Sequence, residues 1–352
     1  MSTPHAFRPD RVYVIAEAGS NWRMGTAARD ERMGFALIDA AAEAGADAVK
    51  FQTYRPETVY VPNAGQSEYL AAGGILEDIR EIFADLAMPY PLIPKLADHA
   101  TRRGLDFMST AFSLPDFEAV DPHVSVHKIA SYEISHVRLI ERAARSGKPT
   151  IMSTGAATLD DVAWAVGHFQ AHGGGPLCLL QCTAKYPAPS EAMNLRAIET
   201  LRARFGLPVG LSDHSLHPTH APIAAAALGA CVVEKHFTLD RRLPGPDHAF
   251  AVTPDELAAM VRGLRAVEQL RGTGEKVVLE AERELAAYAR RGVQVTRSVS
   301  VGDVLREGEN LDILRPGNQP LGVHPRRLVE IEGRRATRAL HIGEGLLDGD
   351  WS

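Results

Sequence analysis

The chain has 352 residues, enough for one large domain and a small one, because single hydrophobic cores stop growing at about 250–300 residues. Its hydrophobic content of 45% and charged content of 23% are typical of globular proteins and exclude a disordered or fibrous chain. The net charge of −6, with basic residues scattered along the chain, excludes the basic surface by which proteins bind nucleic acids.

Neither a targeting signal nor a membrane span is expected from this sequence. The opening residues, MSTPHAFRPD, lack the charged and then apolar pattern of a signal peptide, and the longest apolar stretch, 221–233, is too short to cross a bilayer. We therefore expect a cytosolic protein. Its three cysteines, Cys178, Cys182 and Cys231, lack metal-ligand spacing and are expected to be buried free thiols.

Eight short apolar segments alternate with helical segments over most of the chain, as in a series of βα units. The predicted strands are 12–17, 47–52, 105–110, 126–131, 149–154, 177–182, 208–213 and 231–236. Eight such units in order favour a (β/α)8 TIM barrel over residues 1–272, with a doubly wound open sheet as the alternative. Thr253 and Glu256, with Pro254 after the threonine, predict a capping box at the last barrel helix.

Polar and charged side chains gather at the carboxyl ends of these predicted strands. They include Glu17, Lys50, Gln52, Thr110, Lys128, Ser131, Ser153, Ser212, His214, Glu234 and His236. The carboxyl ends of barrel strands converge on one rim, where the active sites of this fold lie. We therefore expect these side chains to surround one pocket.

Several further segments differ from the βα pattern. The long connection 55–88 is predicted to be either a substrate lid or a plain surface loop. Residues 273–290 are predicted to form a charged linker with a helical part, and 291–352 a small β-rich domain. The weak similarity of 298–311 to 338–351 indicates that this domain has two related halves.

His214 and His236 end the seventh and eighth predicted strands, which are neighbours in a barrel. Neutral imidazole is the commonest metal ligand. Two histidines suit an ion whose other positions are taken by water and substrate oxygens better than they suit a closed zinc site. The alternative is that both histidines are structural.

Lys50 and Lys128 end the second and fourth predicted strands, and a lysine is costly to bury without an anion. A phosphate monoester, with about 1.5 to 2 negative charges at pH 7, would offset that cost. The alternative is that each lysine pairs with a carboxylate such as Glu17, Glu133 or Glu234. The two lysines together with nearby hydroxyl groups favour the anion.

Nine short motifs lie in order along nearly the whole chain, and a tenth lies in the tail. They are IAEAGSNW, DAVKFQTY, STAFS, KIASYEI, STGAAT, CTAKYPAP, GLSDHS, VVEKHFTLD and PGPD, followed by LRPGN. Together they resemble the sialic acid synthase family, which includes N-acetylneuraminate, legionaminate and pseudaminate synthases. The segment 291–352 resembles the antifreeze-protein-like (SAF) domain that these enzymes carry.

The resemblance implies a transferase that condenses phosphoenolpyruvate with the aldehyde of an open-chain N-acylated amino hexose and releases phosphate. Its cofactor would be Mn²⁺ or a similar divalent ion such as Mg²⁺ or Co²⁺, held by His214 and His236. The phosphoenolpyruvate site would consist of Lys50, Thr110, Lys128, Ser131, Ser153 and Ser212, and the sugar site of Glu17, Gln52, Glu133, Tyr186, Asp247 and Arg315. The catalytic groups would be Lys50, Lys128, Glu17 and Glu133, with Glu17 or Glu133 as the general base.

Three departures from the family's pattern bear on the sugar. Trp22 stands where His is usual, Ala184 where sialic acid synthases have Asn, and Gln181 replaces a His or Lys. We expect these residues on the sugar side of the site, so the identity of the sugar and of the product stays open. The resemblance also implies a domain-swapped homodimer, in which Arg315 reaches the sugar bound by the partner chain.

Two other functions are weighed against this one. A related barrel synthase acting on a phosphorylated aldose would need a further basic cluster for the second phosphate, which the sequence does not show. A non-catalytic sugar-binding barrel with an antifreeze-like domain would be expected to lack the lysines or histidines of the rim, and all four are present.

Overall fold

A computed structural model describes residues 7–66 and 76–352. The chain divides into two compact units, Met1–Gly272 and Thr273–Ser352. Part of the predicted lid, residues 67–75, lies outside the described residues.

The first unit is a closed barrel of eight parallel strands that follow one another in chain order. The strands are β1 (Tyr13–Gly19), β2 (Ala48–Thr53), β3 (Asp106–Ala111), β4 (His127–Ile129), β5 (Thr150–Ser153), β6 (Leu177–Cys182), β7 (Val209–Asp213) and β8 (Val232–His236). β8 pairs with β1, from Tyr13 opposite Val232 to Glu17 opposite His236. This closure confirms the predicted (β/α)8 barrel and excludes the open sheet, in which the outermost strands would be edges.

Helices connect consecutive strands of the barrel. Between β1 and β5 lie α1 (Ala27–Glu43), α2 (Pro56–Val59), α3 (Ile79–Leu86), α4 (Leu92–Arg102), α5 (Leu114–Val120) and α6 (Val137–Ser146). After β5 come α7 (Leu159–Ala171), α8 (Ala197–Phe205), α9 (His220–Ala227) and α10 (Pro254–Arg271). Within the described part of the chain, no helix is both long and apolar enough to cross a membrane.

Local sequence signals set where these helices begin and end. The predicted capping box of α10 is present, since the Thr253 amide donates to the Glu256 carboxylate at 2.8 Å. Thr158 and Asp161 form a second capping box at α7. α6 ends at Gly147, whose φ of 69° is a left-handed conformation that glycine adopts without steric cost.

The side chains that point into the barrel change in character along its axis. Near the amino ends of the strands they belong to one buried apolar cluster, made of Phe7, Tyr13, Ile15, Ala48, Met108, Val126, Ile151, Cys178, Leu180, Cys231 and Val232. Inward positions alternate along a strand, so Ile15 is followed inward by Glu17, and Val232 by Glu234. The apolar cluster therefore closes the floor of a polar pocket.

β8 shows how this alternation sorts three consecutive ionisable residues. Glu234 and His236 share the inward face, and Lys235 lies on the outward face. The buried Lys235 ammonium donates to Asp213 Oδ2 at 2.6 Å and to the carbonyl oxygen of Ser215 at 2.7 Å. Lys235 thus forms a structural ion pair with Asp213, although its two neighbours in the sequence belong to the pocket.

The second unit is small and rich in short antiparallel pairings, as predicted. It contains α11 (Arg283–Ala289), α12 (Leu328–Ile331), and a two-stranded sheet of β9 (Gly292–Val295) and β10 (Leu311–Leu314). Val299 and Leu340 exchange two backbone hydrogen bonds of 2.9 Å, so the two similar segments of the sequence pair with each other.

Gly210 in β7 tests how tightly the barrel is packed. A Cβ added there would lie 2.3 Å from the carbonyl oxygen of Val232 and 2.7 Å from Leu180 Cδ2. We expect Gly210→Ala to lower the free energy of unfolding by about 1–3 kcal/mol in chemical denaturation, the usual cost of overpacking. Gly167→Ala is the matched control, because Gly167 lies in α7 with open space around its Cβ position and alanine favours a helix. Equal losses at the two positions would contradict the packing argument.

Candidate active site

The structure brings the predicted strand residues together at the carboxyl rim of the barrel. Registered pairs lie side by side on neighbouring strands, namely Glu17 with Lys50, Glu17 with His236, Gln52 with Thr110, Thr110 with Lys128, and Ser212 with Glu234. Residues that are distant in the chain thus become neighbours because the strands run parallel around a closed circle.

Lys50 is 3% exposed and lies among three partners. Its Nζ is 2.8 Å from Glu17 Oε2, donates to Thr110 Oγ1 at 3.0 Å, and is 3.7 Å from Glu234 Oε2. Burial acts to lower the pKa of Lys50, but the carboxylates of Glu17 and Glu234 raise it above its ordinary value. Lys50 is therefore an ammonium ion inside the barrel.

Lys128 lies on the other side of Glu234. Its Nζ donates to Ser153 Oγ at 2.7 Å and is 3.8 Å from Glu234 Oε1. Burial lowers the pKa of Lys128, and the distant carboxylate offsets this only in part. Glu234 also accepts a hydrogen bond from Ser212 Oγ at 3.1 Å, which fixes it between the two lysines.

We call this connected set of ammonium, carboxylate and hydroxyl groups the lysine cage. It consists of Lys50, Lys128, Glu17, Glu234, Thr110, Ser153 and Ser212. Burial raises the pKa of Glu17 to about 7, whereas the two lysines outweigh burial and lower the pKa of Glu234. Near neutral pH the lysine cage thus holds two positive charges against one full carboxylate and a partly protonated one. Each lysine is paired with a carboxylate, and the cage still has an excess of positive charge that suits an anion.

The remaining predicted hydroxyl, Ser131, lies just beyond β4, the strand that carries Lys128. Its Oγ accepts a hydrogen bond from the Gly155 amide at 3.0 Å. Ser131 begins a 3-10 turn, Ser131–Glu133, that directly follows β4. The same turn carries Glu133, whose Oε2 is buried without a hydrogen bond. Burial raises the pKa of Glu133 to about 7, because the charged form loses its hydration.

His214 and His236 lie side by side at the rim, with ring centroids 5.5 Å apart. His214 Nδ1 donates to the carbonyl oxygen of Thr183 at 2.9 Å, which leaves the lone pair of the neutral ring on Nε2. His236 Nδ1 is buried without a hydrogen bond and lies 3.7 Å from Asp247 Oδ2. Burial, together with the positive charges around it, holds the pKa of His236 well below its ordinary value. A neutral imidazole with an unused nitrogen, beside a carboxylate, fits a metal ligand.

The predicted sugar residues of the barrel border this histidine pair. Gln52 donates to Glu17 Oε1 at 2.8 Å. The Tyr186 ring lies 4.1 Å from that of His214 and 5.9 Å from that of His236. Asp247 follows β8, and burial raises its pKa to about 6. Arg315 is exposed in the second unit, and its predicted role stays a prediction.

The three departures from the family's pattern have different surroundings, and their place on the sugar side stays a prediction. Trp22 is 1% exposed, belongs to the apolar cluster between strands and helices, and lines a cavity of about 390 Å³. Gln181 donates to the carbonyl oxygen of Met193 at 3.2 Å and so has a structural partner. Gln181 and Ala184 both line a cavity of about 540 Å³ beside the rim, between the loops that follow β5 and β6.

Two features of the site are missed when the sequence is read alone. Glu234 is the centre of the lysine cage, whereas the sequence indicates it only as one of several carboxylates that could pair with a lysine. The thiol of Cys182 lies 3.8 Å from His214 Nδ1, and that neighbour lowers the pKa of Cys182 against the effect of burial. Cys182 could have been identified from the sequence, because the alternation of β6 places it on the same inward face as Cys178 and Leu180.

A closed barrel with this rim, accompanied by a small SAF domain, defines the class of the sialic acid synthases. The chain belongs to the NeuB family: the family model matches residues 37–276, and the SAF domain model matches residues 290–350. Both matches agree with the resemblance drawn from the motifs.

Three relatives illustrate the range of the family. The chain is 40% identical to spore coat polysaccharide biosynthesis protein SpsE of Bacillus subtilis, over 96% of this chain and 93% of SpsE. The crystal structure of SpsE matches with a TM-score of 0.63 and covers 97% of this chain and 95% of that one. The chain is 36% identical to N,N'-diacetyllegionaminic acid synthase of Legionella pneumophila, over 95% and 93% of the two chains. It is 33% identical to pseudaminic acid synthase of Campylobacter jejuni, over 97% of each.

Glu234→Gln tests the charge balance of the lysine cage. The substitution leaves two buried ammonium groups without the carboxylate between them, so we expect the free energy of unfolding to fall by about 3–5 kcal/mol. Added inorganic phosphate should restore part of this loss if the cage accepts an anion. The measurement is chemical denaturation with and without phosphate.

Glu133→Gln is the matched control for this experiment. The folded pKa of Glu133 is raised to about 7, so this carboxyl lowers stability progressively as the pH rises from its ordinary pKa to about 7, and the full cost is present above that pH. The neutral amide should therefore leave the free energy of unfolding unchanged or raise it above that pH. A loss at Glu133 as large as at Glu234 would count against the charge-balance account.

Proposed function

We propose that this protein is a nonulosonic acid synthase that condenses phosphoenolpyruvate with the aldehyde of an open-chain N-acylated amino hexose and releases phosphate. The observation that carries the proposal is the lysine cage, in which two buried ammonium groups lie beside two histidines that fit a metal. The relatives named as legionaminic and pseudaminic acid synthases support the same class of product.

The lysine cage is proposed to bind phosphoenolpyruvate. Lys50 and Lys128 would contact its anionic groups. The hydroxyls of Thr110, Ser153 and Ser212, which now form hydrogen bonds within the lysine cage, could donate to the oxygens of phosphoenolpyruvate instead. Their buried position strengthens these contacts, because solvent screening is weak inside the barrel. Ser131, just beyond the strand that carries Lys128, would complete the site.

His214 and His236 are proposed to hold a divalent ion, Mn²⁺ or a similar one, with Asp247 close by. When bound there, such an ion would polarise the aldehyde oxygen of the sugar. Gln52, Tyr186 and Asp247 border the same pair and would contact the sugar. The identity of the N-acylated hexose is left to the assay below.

Glu17 or Glu133 is proposed to act as the general base that accepts a proton from the attacking water. The methylene carbon of phosphoenolpyruvate forms the new bond to the aldehyde carbon, and the aldehyde oxygen becomes a hydroxyl. Water adds to the adjacent carbon, and the carbon–oxygen bond to phosphate breaks. A carboxylate with a pKa of about 7 accepts a proton from that water more readily than an exposed glutamate would. Assembly as a domain-swapped homodimer, with Arg315 reaching the partner's sugar, stays a prediction.

The direct test is phosphate release from phosphoenolpyruvate with 2-acetamido and 2,4-diacetamido hexoses, with product mass as the second readout. We expect activity that a chelator removes and that added Mn²⁺ restores. His236→Ala should lower kcat/KM about 100-fold or more, the scale of losing one preorganised group that stabilises developing charge. His99→Ala is the control, because His99 lies on α4 and pairs with Asp39.

The same assay separates the alternatives. Turnover only with phosphorylated aldoses would indicate the related barrel synthase. No turnover with any aldose, in a folded protein that still binds the sugar, would indicate a non-catalytic barrel. If neither a chelator nor the His236→Ala substitution changes the activity, the proposed metal site is rejected.

The raised pKa values of the two glutamates predict the pH dependence. The proposed base must be deprotonated, so kcat/KM should rise with pH through about 7 rather than through the ordinary glutamate range. Activity is lost as the pH falls through that value. Glu133→Gln and Glu17→Gln, measured separately across the neutral range, identify the base as the one whose removal abolishes this rise. Retention of both the rate and the rise in both variants would rule out these two residues.

A further inference from the structure

A second group of potential metal ligands lies away from the rim, on the outer helices α6 and α7. Glu141 belongs to α6, His168 to α7, and His172 directly follows α7. Helices of a βα barrel run back from the rim, so the end of α7 lies towards the amino ends of the strands. Among the described residues, this is the one group of three such side chains whose ligand atoms all lie within 4.8 Å of one another.

The spacing of these atoms suits a tetrahedral ion. Glu141 Oε1 is 3.4 Å from His168 Nε2 and 3.8 Å from His172 Nε2. Ligand bonds of about 2.1 Å to zinc imply edges of about 3.4 Å in a regular tetrahedron. Small side-chain rotations would bring all three atoms to that distance. The spacing of the two histidines, four positions apart, is also that of two zinc ligands on one helix face.

The hydrogen bonding leaves the two imidazole nitrogens available. His172 Nδ1 lies 2.8 Å from the carbonyl oxygen of His168, which can only accept, so Nδ1 carries the proton. The lone pair of a neutral His172 is then on Nε2, which faces Glu141 Oε1. His168 Nε2 is buried and has no hydrogen bond. Glu141 Oε1 and His172 Nε2 are thus two acceptors 3.8 Å apart, and a cation between them would stabilise this arrangement.

The surrounding side chains hold the three ligands in place. The Trp164 ring stacks on His168, with centroids 5.2 Å apart and an angle of 12° between planes. The Glu141 side chain is 9% exposed, Arg138 Nη1 donates to its Oε1 at 3.2 Å and to its Oε2 at 3.0 Å, and Arg145 lies 3.6 Å from Oε2. The two arginines are 69% and 60% exposed, so a bound cation would displace Arg138 from Oε1 into solvent at little cost.

We infer that Glu141, His168 and His172 form a binding site for a first-row transition metal ion of the Zn²⁺ type, with a fourth position open to water. Two imidazole nitrogens favour such an ion over Mg²⁺ or Ca²⁺, which prefer oxygen ligands. The site is separate from the histidine pair of the rim and requires no substrate. By joining α6 to α7, the bound ion stabilises the outer layer of the barrel at this point.

The test is a titration of the metal-free full chain with Zn²⁺ by calorimetry, followed by Co²⁺ as a spectroscopic probe. We expect the variant His168→Ala with His172→Ala to lose one equivalent of bound Zn²⁺ and the absorption of tetrahedral Co²⁺. Glu141→Gln should weaken binding about tenfold or more. Zn²⁺ should raise the midpoint of thermal unfolding of the unaltered protein, but not that of the double variant.

Two controls separate this site from other histidines. His236→Ala removes the rim ligand and should keep the equivalent assigned to the outer site. His217→Ala with His220→Ala removes another stacked histidine pair, whose rings are 3.2 Å apart, and should leave the titration unchanged. The proposal is overturned if the His168/His172 variant, folded as judged by circular dichroism, binds as much Zn²⁺ as the unaltered protein. It is also overturned if Glu141→Gln binds with full affinity, because the carboxylate is then not a ligand.

Discussion

The pocket of this protein depends on charge balance around two buried ammonium groups. Lys50 and Lys128 cannot remain in a closed barrel without negative charge nearby, and Glu234 lies between them at 3.7 and 3.8 Å. The hydroxyls of Thr110 and Ser153 accept hydrogen bonds from the two lysines, and that of Ser212 donates to Glu234. The carboxylates of Glu17 and Glu234 thus keep the two ammonium groups stable inside the barrel without any bound anion.

Much of the architecture could be predicted from the sequence, because its signals are local. Eight apolar segments followed by polar ends are enough to predict a barrel and the polar rim at the carboxyl ends of its strands. Thr253 with Glu256, and glycines such as Gly147, mark helix ends by chemistry that acts over a few residues. Family motifs then assign roles to residues that the barrel brings together.

The partners of individual side chains could not be predicted in the same way. Lys235 stands between Glu234 and His236, and only the strand register decides that it pairs outward with Asp213. Trp22 occupies a motif position near the site, but its side chain packs into the apolar cluster instead. The group Glu141, His168 and His172 depends on how α6 packs against α7, which no local pattern encodes. These features follow from side-chain direction and helix packing rather than from residue type.

The strict alternation of β8 has a consequence for how this chain can change over evolution. Inserting or deleting one residue within the strand would turn Lys235 inward and send Glu234 and His236 outward in a single event. The loops around the rim face no such penalty, because a longer loop changes little except its closure entropy. Changes in chain length are therefore tolerated mainly in the connections, where they reshape the rim while the lysines and histidines keep their places.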